Sequence, residues 1–241
     1  MKLIRLNIVV ILVFLFTISS HAQYGGHAVG FSFNYNFTTS SKLFLNPNAE
    51  DPFLKDQFVP IDNITSYAIE LRVSLSENFV LGLSGEYMTT VNNDSRFVIG
   101  GPTGSILTSI QDGFEVYPVE LSAYYIMPFS TEEFHFYIGG GFGLYYGNHI
   151  RNFGDADVTT ISQDIGYGIQ VSTGMDYLIT DFFSVRGEMK FRDPQFDMQS
   201  KYNKTEVIIN RQLYEINNDV FDSKVNINGI TFGIGLVVHF L

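Results

Sequence analysis

Residues 66–88 read SYAIELRVSLSENFVLGLSGEYM. In both halves every second residue is apolar, aromatic or Gly: Tyr67, Ile69, Leu71, Val73 and Leu75, then Phe79, Leu81, Leu83, Gly85 and Tyr87. The residues between them are of another kind, with Glu70, Arg72 and Glu86 set among Ser and Gly. A period of two belongs to a strand, and the polar break Ser76-Glu77-Asn78 is a turn. The stretch therefore predicts an antiparallel hairpin with one bulky, uncharged face.

The same pattern continues outward in both directions. It predicts eight strands, at 29–37, 67–75, 79–87, 117–127, 134–146, 165–177, 183–191 and 230–240. No position on the bulky faces carries a charge. The intervening positions hold Glu70, Arg72, Glu86, Glu120, Asp176, Arg186, Glu188 and Lys190, together with many Gly, such as Gly139, Gly141, Gly143 and Gly174. Eight strands enclose little volume, so the small and polar face is expected inside and the bulky face outside. Only lipid tolerates such an exterior. Tyr and Phe at the strand ends form two bands, Phe37, Tyr67, Tyr87, Tyr117, Tyr146, Tyr167 and Phe191 at one rim and Phe31, Phe79, Tyr125, Phe134, Tyr177, Phe183 and Phe240 at the other. They match the aromatic girdles of membrane barrels. The expected fold is all-β, an eight-stranded antiparallel up-and-down transmembrane β-barrel.

Connections alternate strictly. Those after the second, fourth and sixth strands are short; those at 38–65, 88–115, 148–163 and 192–226 are long. That alternation fits periplasmic turns and extracellular loops, with both termini in the periplasm. The loop at 88–115 reads as two strand continuations around Gly100-Gly101-Pro102-Thr103-Gly104, and 206–216 reads as a second pairing of the same kind.

The N-terminus reads as a secretory signal. Lys2 and Arg5 precede the apolar run from Ile8 to Ile18, and Ser20-His21-Ala22 supplies small residues for cleavage before Gln23. The expected division is a signal peptide at 1–22 and a barrel domain at 23–241. The apolar run is too short to span a bilayer. Charged residues make up only 16% of the chain, Cys is absent and the net charge is −11. The first suits an apolar medium, the second excludes thiol chemistry and disulfides, and the third argues against nucleic acid as a partner.

With these features in place, the chain resembles the small outer-membrane barrels of the OmpA/OmpX type, over essentially residues 24–241. The last strand is similar to the terminal signal read by the barrel assembly machinery in such proteins: Thr231, then Gly233, then Leu236, Val238 and Phe240, with Leu241 in place of a terminal aromatic. The resemblance implies the cell outer membrane, with its lipids and lipopolysaccharide as surroundings. It does not imply one activity, because members include adhesins, invasion factors, structural barrels and a few lipid-modifying enzymes. No further domain follows the last strand, so the peptidoglycan-anchoring role of longer relatives is not expected.

Candidate chemistry is sparse. The inward set Glu70, Arg72, Glu86, Glu120, Arg186, Glu188 and Lys190 is expected to pair as a polar plug, since an isolated buried charge is very costly. His27, His135, His149 and His239 show no metal-ligand spacing, and none is followed two residues later by the Ser that lipid A deacylases of the resembled family use. Asp155 and Asp157 are spaced as in a calcium loop but lack its Gly and distal Glu. No cofactor, metal or catalytic set is expected. The sequence favours a non-enzymatic barrel whose long loops serve surface interaction with an extracellular partner or envelope structure; the alternatives are a small-solute pore and a lipid-modifying enzyme.

Overall fold

The computed structural model describes residues 29–240 without 102, 103, 210, 211, 217 and 218, and 94–108 by backbone alone. The expected signal peptide with its expected cleavage point, His27 and Leu241 lie outside the described residues. The strands are β1 (Val29–Phe44), β2 (Phe58–Ser74), β3 (Phe79–Gly101), β4 (Gly104–Ile126), β5 (Phe134–Phe153), β6 (Ala156–Gln163) and β7 (Gly166–Thr180). They continue as β8 (Phe183–Arg192), β9 (Gln195–Tyr202), β10 (Glu206–Ile209), β11 (Gln212–Glu215), β12 (Phe221–Asn226) and β13 (Ile230–Phe240). One helical turn, α1 (Pro52–Lys55), is capped by Asp51, whose carboxylate accepts the Phe53 N–H.

Thirteen strands stand where eight are expected from the sequence, and the difference has a local cause. Beyond the eight expected strands, β6, β9, β10, β11 and β12 lie in the expected loops 148–163 and 192–226; β6, β9 and β12 continue the expected strands β7, β8 and β13, from which they are parted at 164–165, 193–194 and 227–229. Pro194 lacks the N–H a ladder needs, and Asn228-Gly229 favours a bend. Short bonds carry the chain across, from Ile227 N–H to the Pro194 carbonyl and from Asp164 N–H to the Asp197 carbonyl. The pair β10–β11 forms a separate hairpin. Much of the four expected loops is therefore sheet. β1 and β2 remain paired out to Phe44 and Phe58, and β3 and β4 out to Gly101 and Gly104. The hairpin continuations at 88–115 and 206–216 are present.

Pairing runs antiparallel throughout, from β1 through β2, β3, β4, β5, β7, β8 and β13. β13 then pairs with the free side of β1, from Val29↔Phe240 to Thr38↔Thr231. Above this level β6, β9 and β12 take over from β7, β8 and β13, and β12 again meets β1, at Lys42↔Asn226. The bulky faces point outward: Phe33 is 50% exposed and Ile169 76%, with Leu83, Leu121, Phe142 and Ile234 likewise exposed.

Strand β4 reads out the interior layer by layer. Ile126 and Tyr124 belong to a small apolar cluster with Val80 and Tyr137. Glu120 follows, in a charged layer. Val116 and Phe114 join Leu43, Ile61, Ile64, Met88, Tyr145, Phe196, Met198, Val225 and Ile227 in an apolar layer above it. Asp112 comes next, and Ile110 packs last with Phe153, Tyr202, Val207 and Tyr214 beside the β10–β11 hairpin. The interior is thus not solely the polar plug that alternation suggests. Apolar layers lie on both sides of the charges, because the extensions curl their own hydrophobic faces inward.

Candidate functional site: the charged interior layer

The fold brings all seven charges of the expected plug into one network. Arg72 donates through Nε to Glu70 at 2.9 Å and through Nη2 to Glu188 at 3.0 Å. Arg186 reaches the same Glu70 carboxylate through Nη1 at 2.7 Å. Lys190 Nζ meets Glu120 at 2.7 Å. Glu86 accepts the Ser66 hydroxyl and two bonds from a residue outside the expected set, Arg192. Arg192 Nη1 also reaches Glu120 at 3.1 Å, and its side chain is wholly buried. Asp176 completes the layer as a two-point partner of Arg186, at 2.7 and 2.8 Å.

Three tyrosines also enter this layer, contrary to the expectation that the inward face is small and polar. Tyr124 donates to Glu70 at 2.6 Å, Tyr137 to Glu188 at 2.8 Å and Tyr145 to Glu120 at 2.7 Å. The Arg72 guanidinium lies 3.7 Å from the Tyr124 ring centre and 4.5 Å from that of Tyr137. Neighbouring glycines make this possible. Tyr124 covers Gly82 and Gly139, Tyr137 covers Gly174, and Tyr145 covers Gly143, each where a Cβ would collide with the ring. These four inward Gly are thus seats for the inward Tyr.

Each carboxylate in this layer is held by at least one cation, and each cation by at least one carboxylate, so the charges bind strands together. Ser184 Oγ and His239 Nε2 are 2.8 Å apart, and both residues are buried. In the last strand Gly233 faces inward against Asn36, whereas Leu236, Val238 and Phe240 face outward between β1 and β8.

A second charged cluster lies in the upper interior. Arg151 donates to both oxygens of Asp112, at 2.5 and 3.1 Å, and His149 Nε2 stands 3.5 Å from Asp112. Burial pushes the His149 imidazole below its ordinary range, and the Arg151 charge adds to this against the pull of Asp112. Burial would raise Asp112, but the His149 imidazole beside it and the Arg151 guanidinium outweigh it and hold the carboxyl low. Asp112 lies in the connection expected at 88–115, and its burial follows from the strand extension that places it inside. Asp155, one half of the calcium-like spacing, instead accepts Lys204 Nζ at 2.6 Å.

No family model matches the chain, and no curated protein matches it. Solved structures of similar fold include the outer membrane protein OprG from Pseudomonas aeruginosa, at a TM-score of 0.56 and 12% identity, covering 89% of this chain and 97% of that one. Neisserial surface protein A matches at a TM-score of 0.47 and 12% identity, over 88% of this chain and 97% of that one. The outer membrane protease OmpT from Escherichia coli matches at a TM-score of 0.43 and 10% identity, over 94% of this chain and the whole of that one. The likeness to OprG is one of fold: this is a small, all-β, antiparallel up-and-down barrel of the outer-membrane kind. The apolar outer face of its belt suits that setting, the outer membrane of the cell. The comparisons do not single out the OmpA/OmpX type.

Proposed function

We propose that the eight strand paths close into a transmembrane barrel that conducts nothing, catalyses nothing and carries a sheet-built platform above the outer membrane. In this it is like the filled barrels of the OmpA/OmpX type. The observation that carries the reading is the pairing of Arg192 with Glu86 across the interior, with a continuous apolar layer above it. A barrel braced in this way is a scaffold. Its variable, accessible part is the extension made by β6, β9, β12 and the β10–β11 hairpin, where Ile208 and Leu213 are exposed. Binding an extracellular partner or spacing the envelope is the work such a platform does. Gly233, Leu236, Val238 and Phe240 act as the handle for the barrel assembly machinery, and lipids with lipopolysaccharide surround the belt.

The test is display on live cells. An epitope inserted between Ile209 and Gln212 binds antibody on intact cells, whereas one inserted after Glu77 binds only once the outer membrane is opened. Removal of residues 206–215 leaves the barrel folded and abolishes the whole-cell binding or envelope phenotype of the protein. The opposite labelling, or an unchanged phenotype, defeats the proposal.

A further inference from the structure

Cations are scarce outside the interior. The described side chains there include five, Lys42, Lys55, Lys201, Lys204 and Lys224, and three of them line one pocket of about 460 Å³ on the outer wall. Its walls come from three places. Lys42 and Phe44 are on β1, Lys224 and Asn226 on the adjoining β12, and Lys55 ends α1. The register sets Lys42 opposite Asn226 and Phe44 opposite Lys224, so the two lysines are diagonal neighbours on the outward face. Phe191 forms the lower wall, and it belongs to the upper aromatic band, pairing with the outward Ile230 and Val171.

We propose that this pocket holds the phosphorylated headgroup of an outer-leaflet lipid, with an acyl chain descending over Phe191. The proposal rests on the membrane reading above and adds a site to it. Height argues for lipid: the apolar wall lies at the girdle and the ammonium groups one step above it, the order in which an acyl chain and its phosphate occur. Charge argues for phosphate, because a chain of net charge −11 gathers cations here. Among the described residues, Lys42 and Lys55 have no carboxylate within ion-pair distance; Lys42 lies 4.8 Å from the Phe58 ring centre. Lys224 has only a longer contact, 3.6 Å to Asp197. Of the two acids in the lining, Asp193 accepts the Asn226 amide at 2.9 Å, and Asp56 follows Lys55 at the helix end. Three ammonium groups around one space suit a phosphate monoester, which takes several donors at once.

The experiment compares the intact protein with K42Q/K55Q/K224Q and with K201Q/K204Q, each refolded into phosphatidylcholine vesicles doped with diphosphoryl lipid A or its dephosphorylated form. Heat-modifiable gel mobility first reports whether each protein is folded in the bilayer, which tests the membrane reading separately. Bound lipid A is then counted by native mass spectrometry after extraction. Retention of the diphosphoryl form is expected to fall about tenfold or more in the triple variant, to persist in K201Q/K204Q and to be weak for the dephosphorylated form. Equal retention in all three folded proteins overturns the site. If millimolar inorganic phosphate alone displaces the lipid completely, the pocket takes a soluble anion and the lipid assignment falls.

Discussion

Arg192 and Glu86 face each other across the interior from strands four places apart in either direction around the ladder. Two hydrogen bonds, of 2.7 and 3.0 Å, join them. Their backbones belong to β8 and β3, which are not neighbours, so the pair is a strut across the interior rather than a rung between adjacent strands. Arg192 also touches Glu120, which Lys190 and Tyr145 hold in turn.

Removing the strut leaves buried carboxylates without their partner. R192A is expected to lose about 3–5 kcal/mol of stability, the usual consequence of stranding a buried charge. E86Q/R192M removes both charges and should recover much of that loss. Urea unfolding in lipid vesicles, followed by gel mobility, measures both; an R192A barrel within 1 kcal/mol of the parent is the contrary result.

The outer wall makes a different demand. Leu71 and Ile169 point away from the interior, so L71R or I169R places a charge in acyl chains at a cost of about 2–4 kcal/mol near mid-membrane. Ser172 is buried on the opposite face, and S172R destabilises by crowding, which is insensitive to bilayer thickness. If L71R refolds as stably as the parent in bilayers of several thicknesses, the outward phase of β2 is refuted.

The strand phases were legible because the period of two is local and unbroken in the belt, as at Tyr67 to Leu75. Arg192 was legible too, in principle: it continues the inward series Arg186, Glu188, Lys190. The bulky face stops at Phe191, so the alternation that marks the strand ends one residue short of Arg192. The upper sheet was harder to see. There Leu43, Ile61, Met88, Phe114 and Phe196 turn inward, so the apolar face switches from lipid to interior as the strand leaves the membrane. A pattern that changes face midway along one strand reads as a loop. The Asp112–Arg151–His149 cluster was hidden for the same reason, and its members come from two strands that only the register brings together.

Tyrosines seated on glycines predict a sharp contrast between faces. In G174V the new side chain meets the Tyr137 ring and pushes its hydroxyl off Glu188, at a cost of about 1–3 kcal/mol. Gly187 has open space at its Cβ position, so G187A should be neutral or slightly stabilising. Equal unfolding midpoints for the two variants count against the packing described.

Acid should loosen the upper sheet before the belt. His149 has a folded-state pKa below its ordinary 6.5, so its contribution is complete above that value and is lost as the pH falls below it. Asp112, held below 3.8, contributes above that value and is lost only at lower pH still. Hydrogen-exchange protection of 110–116 and 147–153, corrected for intrinsic rates, should therefore decline between about pH 7 and 5, while that of 117–126 does not. H149N, neutral throughout, should remove this first decline; an unchanged pH course in H149N contradicts the assignment.

A filled and braced barrel differs from an open one in its conductance. Single-channel recording of the purified, folded protein in planar bilayers addresses that most directly. The interior layers predict a flat current trace across the usual voltage range, with no stable conductance level for the parent protein. Long-lived, uniform openings of porin size would contradict it and make the charged layer the lining of a pore.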